Sequence, residues 1–274
     1  MFLQNNHVSV CRFETAIQRY CPTCCLPYLD TRLDCPLPRP SDSAIFTPQH
    51  FGDNRGPVRD GFAANWRPEP PDCDIYRNGV LTRWSDRDSC ARGVVYTDGM
   101  IQDVLRRQSY DHLCQPYTRC RFENDHARVH MMLGGHMGSL PCSTVEPLFF
   151  NHHCFVDMQV EMVRGRLPAS RWIYPQRGTP WRHAARDQMS PFDFRNEDGL
   201  DDETIGKEYV YEESPFDVTC STHEECSPTG LLWCNNGACE ATCRQGGVCR
   251  DGLHASCFCP TGTPQCTNRQ CQCT

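Results

Sequence analysis

The sequence has no apolar run near the ~18 residues that a membrane-spanning helix needs. Its first ten residues, MFLQNNHVSV, have neither the charged start nor the apolar centre of a secretory signal. No N-x-S/T glycosylation sequon occurs. H-E-x-x-H is also missing, which excludes the zinc-protease helix, where a glutamate beside the first ligand acts as general base. Only one Glu-x-x-His unit is present, Glu123 to His126, whereas a di-iron carboxylate bundle needs two. Charge of one sign is in modest excess: 34 acidic against 27 Lys and Arg residues give a net −7. With the basic residues scattered, nucleic acid is not expected as a partner.

What is plentiful is cysteine, 22 in 274 residues. Half of these precede residue 200 and half lie between Cys220 and Cys273. Such density calls for disulfides and an oxidising, extracellular compartment. Without a signal segment, it also leads to the expectation that the N-terminus is incomplete. From Cys220 onward too few apolar residues remain for a core, so crosslinks must hold that part together. We therefore expect two regions, 1–215 as a mainly helical domain and 220–274 as a disulfide module. The spacing Cys239-x3-Cys243-x5-Cys249, with Gly246-Gly247 and Cys257-x-Cys259, suggests a small EGF-like or similar knot. Eleven cysteines there leave one thiol over, and spacing alone cannot fix the pairing. This tail is the expected point of contact with extracellular matrix or another protein.

The chemistry concentrates between Asp125 and Asp157, DHARVHMMLGGHMGSLPCSTVEPLFFNHHCFVD. His126 and His130 are four apart and share one helix face. Gly134-Gly135 follow as a helix stop. A loop from Gly138 to Pro147 leads to a second helical run, Leu148 to Met162, carrying His152-His153. Imidazoles from two facing helices can close around a metal, and imidazole suits copper, zinc, iron or nickel. His136 reads as a turn residue outside the site. His50 and His112 read as surface loop residues, and His183 as structural. Cys21-Pro22-Thr23-Cys24 has metal or redox spacing, but with no second such pair nearby a structural disulfide is expected. Phe13, Ile17 and Tyr20 fall on one face of an early helix. Met100, Ile101, Val104 and Leu105 mark an amphipathic helix over 98–107, and a short strand is expected near Val94–Tyr96.

The stretch resembles the second copper-binding segment of the tyrosinase family, which is shared with molluscan haemocyanins. The family pattern is H-x-x-x-H, a Gly-Gly-x-Met turn, then D-P-x-F-x-x-H-H-x-x-x-D. Here it runs His126…His130, Gly134-Gly135-His136-Met137, then Glu146-Pro147-Leu148-Phe149-Phe150-Asn151-His152-His153 and Asp157, with Glu146 for the usual Asp. The resemblance implies copper held by His126, His130 and His153. It also implies that His152, Phe149 and Asp157 orient and buttress the site. Arg12-Phe13-Glu14 and Leu26-Pro27-Tyr28 are similar to the end of the family's first copper segment, with Leu29 for the family Trp. The family's third ligand to that copper then falls on Asn6, with His7 one place off, so the di-copper centre is expected to be incomplete here.

In the full family site two coppers, each held by three His, bind dioxygen and oxidise phenols or catechols to quinones. By the same resemblance Glu123, three before His126, would position a water. Ala127 stands where an Asn is associated with monophenol activity, which favours diphenols. The expectation is thus a secreted copper oxidase of phenols or catechols whose 274-residue chain encodes one copper site and is inactive alone. The alternative is a non-catalytic matrix relative that keeps the fold. An oxygen carrier is disfavoured, since carriers repeat the unit and no repeat is read here.

Overall fold

The computed structural model describes residues 2–69, 71–85, 95–114, 122–174, 184–201, 210–250 and 252–274. His183, Val94 and most of the acidic stretch after Asp201 lie outside the described residues. The fold is mainly helical with small two-stranded sheets and a disulfide-rich C-terminal region. It divides into two compact units, residues 1–29, 99–125 and 150–212, and residues 30–98, 126–149 and 213–274.

The first unit is built on helices: α1 (Phe2–Gln18), α2 (Asp98–Leu105), α3 (Tyr110–Cys114), the start of α4 (Phe122–Leu133) and most of α5 (Leu148–Arg164). Between Pro147 and Gly165 no residue breaks the helical pattern, so α5 runs its full length. Such a helix must bury more than one face. Val156, Val160 and Val163 pack with Phe122, Tyr110, Val104 and Leu113. Phe150 and Cys154 meet Val10, Phe13, Ile17 and Leu26, and the rings of Phe13 and Phe150 stack 3.7 Å apart. The expected face of α1 is therefore present, except that Tyr20 lies beyond the helix end and is 93% exposed. Asn6 and His7 meet His153 and Asp157 on a further face of α5. Since Phe13 meets Phe150 while His7 meets Asp157, α1 and α5 run antiparallel.

The second unit holds β1 (Arg55–Pro57) paired antiparallel with β2 (Thr82–Trp84), around Val58, Ala63 and Leu81. α4 stops where expected, with Gly134 and Gly135 both at φ +55. At Gly135 a Cβ would stand 2.0 Å from the Thr82 carbonyl oxygen, so only glycine admits this approach. His136 is a turn residue, as expected, and it is fully buried. It donates its backbone N–H to the Thr82 carbonyl at 3.0 Å, and its Nδ1 accepts the Thr82 N–H at 2.9 Å. His50 is less solvated than expected: its ring packs on Phe258, with centroids 5.3 Å apart. His112 is exposed, on α3 rather than in a loop.

Within this unit residues 220–274 are stitched to residues 33–53. Ala241 donates to the Leu33 carbonyl, Ala44 to Thr242, Arg244 to Asp42, and the Arg250 guanidinium to Pro36. Leu37 packs among Cys249, Cys257 and Cys271. Backbone hydrogen bonds and an apolar contact therefore bind the tail, besides its crosslinks. The tail is also an internal repeat that the sequence reading missed. Strands β3 (Leu232–Asn235) and β4 (Ala238–Ala241) form one hairpin, and β5 (Pro264–Thr267) and β6 (Gln270–Cys273) the other. Cys220–Cys234 and Cys226–Cys239 cross the first, and Cys249–Cys266 and Cys257–Cys271 cross the second in the same order. His223 accepts the Cys234 N–H and His254 the Cys266 N–H, each through Nδ1. Cys259–Cys273 is added in the second repeat, and Cys243 is the thiol left over. Cys21–Cys24 is a disulfide, as expected.

Candidate metal centre

In the second unit His126 and His130 lie one turn apart on α4, and both are half-buried. The Nδ1 of His130 is 3.0 Å from the Met137 carbonyl oxygen, which can only accept, so this nitrogen carries the proton. Its Nε2 is thus the nitrogen with a lone pair, and it stands 2.9 Å from Nε2 of His126. One ion at imidazole bond lengths of about 2.0–2.1 Å can reach both. Burial lowers the His130 pKa, with the Met137 hydrogen bond working against it, so the neutral, ligating form is favoured. Phe149 meets the His130 ring edge-on, 5.8 Å between centroids. The Gly134-Gly135 turn is what swings Met137 back over α4.

In the first unit His152 and His153 are both buried near the start of α5. The Asn6 side chain spans His153: its amide nitrogen donates to the His153 carbonyl at 3.0 Å, and its Oδ1 meets the ring Nδ1. Asp157, one turn on, accepts from His7 Nδ1 at 2.9 Å and from the Tyr211 hydroxyl at 2.7 Å. What Asp157 braces directly is His7, which is 5% exposed. Glu123 sits exposed in the first turn of α4. Sequence reasoning passed over Tyr211 and the Met137 carbonyl. A backbone acceptor carries no side-chain signature, and Tyr211 lies 54 residues from its partner.

An imidazole with one nitrogen committed to a carbonyl oxygen and the other turned to its neighbour, as at His130, is arranged as metal-ligating histidines are. The imidazole pair of His126 and His130 in the second unit, and that of His152 and His153 in the first, are each of a donor type that suits a borderline-soft ion such as copper. Residues 8–163 match the family described as the common central domain of tyrosinase, and the chain belongs to the tyrosinase family. Tyrosinase-like protein 2 of Margaritifera margaritifera is 30% identical over 239 residues, covering 80% of this chain and 52% of its own length. A tyrosinase-like protein of Pinctada maxima is 29% identical over the same span and share. The chain thus spans about half the length of these relatives. A polyphenol oxidase of Thermothelomyces thermophila overlaps 61% of this chain and 55% of its own, with 21% identity and a TM-score of 0.47. No described helix is long and apolar enough to cross a membrane.

Proposed function

We propose that His126, His130 and His153 hold one copper ion, and that the protein is a secreted, copper-dependent oxidoreductase of phenols or catechols. The observation that carries the reading is the His126–His130 pair, whose Nε2 atoms stand 2.9 Å apart one turn along α4. Family membership supplies the rest. Copper bound there would supply the redox chemistry by which dioxygen converts catechols to quinones.

The chain's own residues do the positioning. Met137 fixes the His130 tautomer, Phe149 limits rotation of its ring, and Asp157 with Tyr211 and His7 braces α1 against α5. Glu123, three residues before His126, would hold water at the edge of the site. The crosslinks fit an extracellular setting.

Purified with its disulfides, the chain should bind no more than one copper tightly, and His130→Ala should abolish that binding. Two tight coppers per chain would overturn the ligand assignment. Catechol oxidation by the 274-residue chain should be negligible, because the position matching a family ligand of the first copper is Asn6, already turned onto His153. A version supplied with a complete first copper segment should form quinones, and diphenols should be preferred given Ala127.

A second reading, a non-catalytic matrix relative, draws support from the same Asn6 and from the crosslinked tail. Absence of quinone formation by a fully copper-loaded extended version would decide for it.

A further inference from the structure

Asn6 occupies the place where a family ligand of the first copper would fall, yet its contacts are all consistent with another task. Both ends of its side chain are spent on His153. The orientation of the amide follows from its partners. The backbone carbonyl of His153 can only accept, so the NH2 group must lie beside it, at 3.0 Å. That leaves Oδ1 facing Nδ1 of the His153 ring. An amide oxygen cannot donate, so the ring proton must sit on Nδ1 and the lone pair on Nε2. Asn6 is 5% exposed and His153 is 5% exposed, so water does not compete for either group.

In the second unit His130 shows the same device built from different parts. There the Met137 carbonyl takes the Nδ1–H of His130 and leaves Nε2 with the lone pair. A backbone oxygen is available to His130 because the chain turns back at Gly134-Gly135. His153 sits inside α5, where nearby carbonyls are engaged in the helix, so its oxygen has to come from another element. α1 provides it.

We propose that Asn6 is a positioning residue. It locks His153 in the tautomer and orientation that present Nε2 to the metal, a strut for one copper ligand in place of a ligand for a second copper. The proposal rests on the copper reading above for its functional consequence, while its structural core, the tautomer, stands without metal.

The metal-free full chain, labelled with 15N in its imidazoles, tests the core directly. Two-bond proton–nitrogen correlations, assigned to His153 by comparison with His153→Ala, should show the proton on Nδ1. A proton on Nε2 overturns the proposal.

Copper affinity, measured by competition against a chelator of known strength, tests the consequence. Asn6→Leu keeps the volume but removes the acceptor, and should weaken copper about 10- to 100-fold, the usual cost of losing such a partner. Asn6→Asp retains an acceptor for Nδ1–H and should stay close to the wild-type affinity and copper EPR spectrum. Equal affinity in Asn6→Leu and wild type, with binding lost in His153→Ala, overturns the role of Asn6 and leaves the copper reading intact. Undiminished binding by His153→Ala overturns the copper reading instead. Should Asn6→Leu fail to fold, the Asp variant and the tautomer decide: a folded Asn6→Asp with affinity as poor as His153→Ala overturns the proposal.

Discussion

Arg83 and Glu146 face one another as a two-pronged pair, 2.8 Å at each prong, and neither side chain reaches solvent. The guanidinium also donates to the carbonyl oxygens of Phe51 and Asp53, and Glu146 accepts the Leu148 N–H at the first residue of α5. One carboxylate thus both neutralises a buried cation and caps the helix that carries His152 and His153. Glu146→Ala should lower stability by about 3–5 kcal/mol, the range for leaving one partner of a buried pair uncompensated. Replacing both residues by apolar ones should recover part of that loss. Urea unfolding of the single and double variants measures both.

Stability should also depend on pH through Asp34, whose burial, reinforced by nearby Asp30 and opposed by a Ser43 hydrogen bond, pushes its pKa up to about 7. The folded chain keeps this proton over a range where the unfolded chain, with a carboxyl titrating near 4, has released it. The unfolded state therefore binds fewer protons between roughly pH 4 and 7, and stability falls as pH rises through that window before levelling off. The full swing is on the order of 4 kcal/mol. In Asp34→Asn this contribution to the pH slope should vanish, which denaturation at a series of pH values will show.

Thiol chemistry should separate surface from interior. Cys25 is exposed, while Cys154 and Cys243 are buried, and burial pushes both of their thiols up to about 12. Because the thiolate is the reactive form, iodoacetamide without reductant should modify Cys25 in the native protein. Cys154 and Cys243 should react only after unfolding. Peptide mass mapping reads the result, and early labelling of Cys243 would contradict its place in the tail core.

The site's helices were legible because helices announce themselves locally. His126 and His130 at one-turn spacing, the Gly134-Gly135 stop and the uninterrupted run after Pro147 each follow from rules that act over a few residues. What escaped were long-range relations. Asn6 and His153 are 147 residues apart, and nothing in an isolated Asn says that its amide will span an imidazole. His136 looked like punctuation because Gly135 precedes it, while its burial depends on β2 arriving 54 residues earlier in the chain. The tail repeat was available and went unread. H-x-x-C occurs at His223 and His254, and C-x4-C at Cys234 and Cys266.

One further prediction concerns the hairpin tips. Both hairpins close through two residues with positive φ, Asn236-Gly237 in the first and Asn268-Arg269 in the second. Gly suits this turn, and Asn tolerates it, whereas Arg269 at φ +61 carries the steric cost of a Cβ in the left-handed region. Arg269→Gly should raise stability by about 1 kcal/mol, read as an upward shift in Tm. A fall would mean that the Arg269 side chain contributes more than its backbone loses.

The doubled tail has a bearing on how the chain is made. The ten paired cysteines of the tail, drawn together at random, admit on the order of a thousand pairings, but the four of the first repeat admit roughly three and the six of the second roughly fifteen. Each crossed pair here joins residues 13 to 17 apart, inside its own repeat. An oxidising chain emerging from its N-terminal side can therefore complete the first hairpin's bonds before the second exists. Its search is then two short problems in succession, and a mispaired second repeat need not undo the first.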